Sequence, residues 1–173
     1  MSRVHKRWLG VSSKSEKPKA ELIERVTFTA GAVAAIREQL EVSGVFRGGL
    51  LFGKVEDGTL RVNWVARGGY PMWTTSPLQV DSHYALGWAD ALNTVDVEAD
   101  WVGHWLVYAT SNMYSQFEDA MWVHTAYEAG LVSEQQVFVI FGWENGQLVV
   151  KPYVMRGEAT PLEVELEKPV RTD

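Results

Sequence analysis

The chain contains no cysteine. Disulfide frameworks, thiolate nucleophiles and cysteine-ligated zinc are excluded together, so any metal site would need histidine and carboxylate ligands. Histidine is itself scarce, with only His5, His83, His104 and His124. No window approaches the roughly 20 uninterrupted apolar residues that span a bilayer. The opening MSRVHKRWLG lacks the apolar stretch of a secretory signal. A soluble, cytoplasmic protein is the expectation. The nucleophile motif G-x-S-x-G is absent, and neither Gly48-Gly49 nor Gly68-Gly69 belongs to a phosphate-cradling G-x-G-x-x-G or G-x-x-x-x-G-K-[ST] loop.

What is present suits one packed domain. At 173 residues and 46% hydrophobic content the chain can bury a single sizeable core. Of its 16 Lys/Arg and 22 Asp/Glu, six and one fall in residues 1–20, leaving ten and twenty-one for the rest. The tail is therefore about +5 and the body about −11. An acidic body argues against a nucleic-acid face, which needs clustered Lys/Arg. The expected organisation is a basic, disordered tail over 1–20, one domain over 21–168 and a short tail over 169–173. Most of the eight tryptophans belong in a core, Trp73 being the candidate exception.

Along the chain, ERVTFTA alternates as a half-buried strand, and Thr29 can cap a helix whose Val33, Ile36 and Leu40 form one stripe. GGLLFGKVEDGTLRVNWVARGG reads as a hairpin turning at Asp57-Gly58, with Leu60, Val62, Trp64 and Ala66 on one face of its second strand. YPMWTTSPLQV, with two prolines and no periodicity, is a loop. Asp81 caps a helix containing Tyr84, Trp88 and Leu92 at i, i+4 and i+8. The strand WVGHWLVY follows, then an irregular Thr110 to Tyr114 loop. Ser115 and Glu118 have the spacing of a capping box for the next helix. A second hairpin turns at Glu144-Asn145-Gly146, and TPLEVELEKP can add an edge strand. The fold class that follows is α+β (α/β/α-like), a mixed central sheet flanked by helices.

Histidine is the one side chain here that is a ready base or ligand near neutrality. His83 falls in a first helical turn and His124 at helical spacing from Phe117 and Met121, positions where packed or exposed structural histidines are usual. His104 is the stronger candidate. Alternation places it on one strand face with Val102, Leu106 and Tyr108, with Glu118 or Asp119 at the start of the following helix. Yet one imidazole and one carboxylate make a poor zinc site, since catalytic zinc takes three protein ligands.

With GGLLFG after the first helix, VGHW leading the central strand and a helix opening near Ser115, residues 22 to 155 resemble the JAB/MPN (JAMM) domain. That is the family of zinc-dependent deubiquitinating isopeptidases and their non-catalytic sister subunits, with a cytidine-deaminase-like architecture. Active members have a Glu three residues before the second Gly of the glycine motif, an H-x-H-P on the central strand and an S-x-x-D at the next helix. The resemblance places the Glu position on Phe46, the two His on Leu106 and Tyr108, the Pro on Ala109, the Ser on Gln116 and the Asp on Asp119. Only Asp119 retains the family residue. Leucine has no lone pair for zinc, neutral tyrosine is a poor ligand, and Phe46 cannot accept a proton, so no cofactor is expected.

The resemblance therefore implies a non-catalytic, protein-binding or scaffold module. Its expected partner is a ubiquitin-like protein or another MPN-type subunit, and homo- or hetero-oligomers are both compatible with it. The expected contact residues are Tyr70, Met72 and Trp73 in one loop and Met113 and Tyr114 in the other, because aromatic and Met side chains are the usual interface anchors. The alternative is a zinc-dependent isopeptidase or peptidase with rearranged ligands such as His104 and Asp119. An unrelated α+β binding domain is a third reading.

Overall fold

A computed structural model describes residues 7–9, 22–42, 44–70, 76–157 and 160–167. The elements run β1 (Arg25–Phe28), α1 (Ala30–Leu40), β2 (Arg47–Glu56), β3 (Thr59–Arg67), α2 (Ser82–Val95) and β4 (Asp100–Asn112). They continue with α3 (Gln116–Glu128), β5 (Val137–Glu144), β6 (Gln147–Arg156), β7 (Thr160–Glu163) and β8 (Glu165–Leu166). Local chemistry sets the boundaries. Thr29, Asp81 and Ser115 each accept a backbone N–H in the first turn of their helix, and Ser115 and Glu118 complete a reciprocal capping box. Asp57-Gly58 and Asn145-Gly146 both adopt the left-handed backbone that tight hairpins require.

The eight strands form one mixed sheet in the order β7-β6-β5-β4-β2-β3-β1-β8. β7 pairs with β6 at one edge, and two residues later β8 pairs with β1 at the other. Between them the buried Val164 donates its N–H to Pro152 O of β6 (2.9 Å), and Glu167 N donates to Val26 O (2.9 Å). One short segment thus spans both edges and nearly closes the sheet into a barrel. Phe28 on β1 meets Phe141 on β5 edge to face at 5.5 Å, a contact that only a strongly curved sheet allows between strands so far apart in its order.

This corrects the expected α/β/α-like architecture. The sheet is not a flat central layer of an α/β/α sandwich but a nearly closed, barrel-like one, and strand outweighs helix. The physical cause lies in two β-bulges that flank Phe52. On β3, Phe52 pairs with Trp64 and Gly53 with Val62, leaving Asn63 as the extra residue. On β4, Leu51 pairs with Gly103 and Phe52 with Trp101, leaving Val102 as the extra residue. Bulges bend a strand and raise its twist, and two of them level with one residue of β2 turn the sheet there. Gly53 serves the same turn, since a Cβ would lie 2.0 Å from Arg61 O.

Each bulge also reverses the alternation beyond it. Leu60, Val62 and Val65 face the concave core, whereas Ala66 faces the convex side and Trp64 is partly exposed, so the four β3 residues expected on one face are divided. Val102 likewise turns inward while Trp101, Leu106 and Tyr108 turn outward. The concave core joins Trp105, Leu51, Phe141 and Val139 to Ala32, Ile36 and Leu40 of α1. The convex face carries Leu50, Phe138, Ile140 and Tyr153, covered by Ala85, Ala89 and Leu92 of α2 and Val123 and Ala126 of α3. From the basic tail, Trp8 packs edge to face on Trp101 at 5.2 Å. Arg7 donates to the Ala129 (2.8 Å) and Gly130 carbonyls just beyond α3.

Candidate functional site

The convex face brings together several of the residues that the resemblance singles out. Tyr108, fully buried on β4, donates its hydroxyl to Oδ1 of Asp119 at 2.6 Å. Asp119 lies in the first turn of α3 and is itself fully buried. Its Oδ2 accepts from Lys151 Nζ at 3.1 Å and from the Tyr153 hydroxyl at 3.2 Å, both on β6. Leu106 packs in the same cluster, and the Phe46 ring sits 6.1 Å from Tyr108 and 5.2 Å from Trp122. Gln116 does not join: it is the exposed first residue of α3.

Two phenols and an ammonium thus converge on one buried carboxylate. Burial and the neighbouring Asp119 push the phenols of Tyr108 and Tyr153 far above the ordinary tyrosine value, so both remain donors across the usable pH range. Both carboxylate oxygens are engaged by protein donors, and Lys151 supplies the opposite charge. These residues do not fit a zinc centre. Leu106 offers no lone pair, Tyr108 is held as a protonated donor, and Asp119 is occupied on both oxygens. Among the described residues no three His, Cys, Asp or Glu side chains group as a metal site.

His104 takes no part in the cluster. Its ring is fully buried and stacks parallel on Phe138 at 6.0 Å. Nε2 lies 2.8 Å from Pro77 O, and since a carbonyl only accepts, Nε2 carries the proton. Nδ1 is buried with no partner among the described residues. Burial pulls the imidazole down to about 4, opposed by the Pro77 bond and reinforced by the positive charge of Arg7. His104 is thus a neutral strut that ties segment 76–79 to β4.

The expected contact residues divide. Tyr70 is exposed and meets Tyr84 edge to face at 5.2 Å. Met72 and Trp73 lie outside the described residues. Met113 and Tyr114 are half-buried: Tyr114 stacks on Tyr108 at 4.2 Å and Met113 donates its N–H to Trp143 O, so both help to pack the cluster. The expected loop from Thr110 begins later, because β4 continues to Asn112. Sequence reasoning missed Lys151 and Tyr153. Their signal was a lysine and a tyrosine two apart on one face of an otherwise apolar strand.

It missed Arg47 as well. This arginine is buried beside Phe46 and donates to Val45 O (2.8 Å), Tyr108 O (3.1 Å) and Ser111 Oγ (2.7 Å). Ser111 accepts it from a left-handed backbone, φ +60°, a conformation that costs a non-glycine residue about 1 kcal/mol or more and is held here by these bonds. Arg47 also lines a cleft of about 620 Å³ between the end of α1, the start of β2 and segment 76–79. Gly48 permits that segment to lie so close, since a Cβ would stand 2.0 Å from Pro77 O.

Fold and site together define a small domain built on a strongly curved mixed sheet, with a saturated tyrosine–carboxylate–lysine cluster on its convex face. No family model and no curated protein matches the chain. Among solved structures it is similar to the solution structure of protein DSY2949 from Desulfitobacterium hafniense. The two share 16% identity with a TM-score of 0.54, over 82% of this chain and 91% of that one. At that identity the likeness concerns the fold alone.

Proposed function

We propose that the chain is a non-catalytic, protein-docking module of the kind that its JAB/MPN resemblance implies, with a ubiquitin-like protein as the partner. The observation that carries this reading is an exposed apolar surface beside the saturated carboxylate. Val45 and Phe46 are 57% and 41% exposed, Phe46 abuts Trp122, and on α3 Phe117 and Met121 stand 74% and 50% exposed one turn apart. Exposed aromatic, methionine and valine side chains on α3 and at the start of β2 favour an interface. The carboxylate, meanwhile, is fully buried with a protein donor on each oxygen.

The test is a titration of the full chain with ubiquitin, followed by NMR. Saturable shifts centred on Phe46, Trp122, Phe117 and Met121 are expected, and the double variant Phe117→Ser, Met121→Ser should abolish them without lowering the unfolding midpoint. Absence of saturable binding, or binding that the double variant leaves intact, overturns the proposal. So would isopeptidase activity that a chelator and His104→Ala abolish, together with one zinc per chain by elemental analysis.

A further inference from the structure

The cleft beside Arg47 differs in charge from the rest of the molecule. The body carries about twice as many acidic as basic side chains. Even so, the described lining of this cleft contains two arginines, Arg47 and Arg67, and no Asp or Glu. Neither arginine has a carboxylate within ion-pair distance among the described residues. Arg67, at the end of β3, is exposed, and its guanidinium makes no hydrogen bond to any described residue. Arg47 is buried, and its three bonds all go to neutral oxygens. A guanidinium has five N–H donors. Among the described residues the buried Nε of Arg47 has no partner, and one Nη1 hydrogen is likewise unspent.

A buried cation with no counter-ion is costly, and chains that retain one usually pair it with something. The rest of the described lining combines apolar side chains (Val42, Val45, Phe46, Pro77 and Trp105), glycine backbone and three neutral polar side chains, Gln39, Ser76 and Gln79. A concave site of several hundred Å³, mostly apolar with a few convergent polar groups, is the usual form of a small-molecule site. Arginine, with its planar fork and weak hydration, suits carboxylates and phosphates.

We propose that this cleft binds a small organic anion, a carboxylate or phosphoryl head on an apolar body, with the head at Arg67 and in the field of Arg47 and the body against Val42, Val45 and Phe46. The inference does not depend on the docking role. Val45 and Phe46 border both surfaces, but Arg67 belongs to the cleft alone. Both head groups share the chemistry that two arginines recognise, and the experiment separates them.

The full chain is titrated by calorimetry with hexanoate, hexyl phosphate, hexanol and inorganic phosphate in low-salt buffer. Saturable binding of hexanoate or hexyl phosphate is expected, and the tighter of the two identifies the head. Hexanol lacks the charge and inorganic phosphate lacks the body, so each should bind at least about tenfold more weakly. Arg67→Gln, at an exposed side chain with no partner to lose, should keep the wild-type unfolding midpoint and weaken binding by about tenfold or more, the loss of one charge-assisted interaction. No saturable binding by either amphiphile overturns the proposal. Affinity that Arg67→Gln leaves unchanged, or inorganic phosphate binding as tightly as hexyl phosphate, does so as well.

Discussion

His104 makes the stability of this protein depend on pH in a defined window. The imidazole is fully buried against Phe138, with Nε2–H on Pro77 O and Nδ1 unpartnered among the described residues. Protonating Nδ1 would add a buried donor with no acceptor beside the positive charge of Arg7. The folded-state value is accordingly about 4, against 6.5 for the unfolded chain. Between those values the unfolded chain binds the proton and the native state does not, so stability rises with pH across the window. It is fully present above about pH 6.5, is lost as pH falls toward 4, and levels off below. At about 1.36 kcal/mol per pH unit the loss is on the order of 3 kcal/mol. That is a large part of the roughly 5–15 kcal/mol by which domains are stable. The assay is urea denaturation at intervals from pH 7.5 to 4.5 for the wild type and for His104→Gln, which keeps an N–H donor for Pro77 O but does not titrate. Carboxylates contribute equally to both profiles, so the difference between the two isolates His104. The wild type should lose its advantage over the variant as the pH falls through the window. Parallel profiles would refute the assignment of a neutral, buried imidazole.

Three substitutions probe the carboxylate cluster and the wall of the cleft. Asp119→Ala strips the acceptor from Tyr108, Tyr153 and Lys151 and should cost about 3–5 kcal/mol, the usual result of breaking a buried charged pair. That lowers the midpoint of a chain of this size by roughly 10 °C. Tyr108→Phe should cost less, about 1.5–3 kcal/mol. A thermal scan placing Asp119→Ala within 1 kcal/mol of wild type would show that the cluster is not structural. Gly48→Ala puts a methyl where Pro77 O now lies, so it should destabilise by about 1–3 kcal/mol and detach segment 76–79. Faster amide exchange confined to residues 76–81 would report this, and an unchanged exchange pattern would contradict it.

Much of the local structure was legible because its causes are local. Thr29, Asp81 and Ser115 cap helices through bonds to residues two or three positions away, and Asp57-Gly58 and Asn145-Gly146 turn hairpins through their own dihedral freedom. The architecture was not legible, because it depends on two unpaired residues, Asn63 and Val102, that nothing in composition or period distinguishes. A bulge is defined by what the neighbouring strand does, and β2 is the neighbour of both. The same applies to the site. Tyr108 bonds Asp119 and touches Phe46, yet Lys151 and Tyr153, which add to the carboxylate's bonding, come from a strand with no local cue beyond its alternation.

The sequence by itself determined the absence of thiol chemistry, the charge contrast between tail and body, and the caps and turns. Each is a property of a residue or of its near neighbours. Tertiary structure alone decided that the sheet curls until β7 and β8 reach its two edges, that Asp119 is saturated by three donors, and that two arginines far apart in the chain share an acid-free cleft. Those depend on strand pairing between residues tens of positions apart, where burial and register, rather than local preference, set the energy.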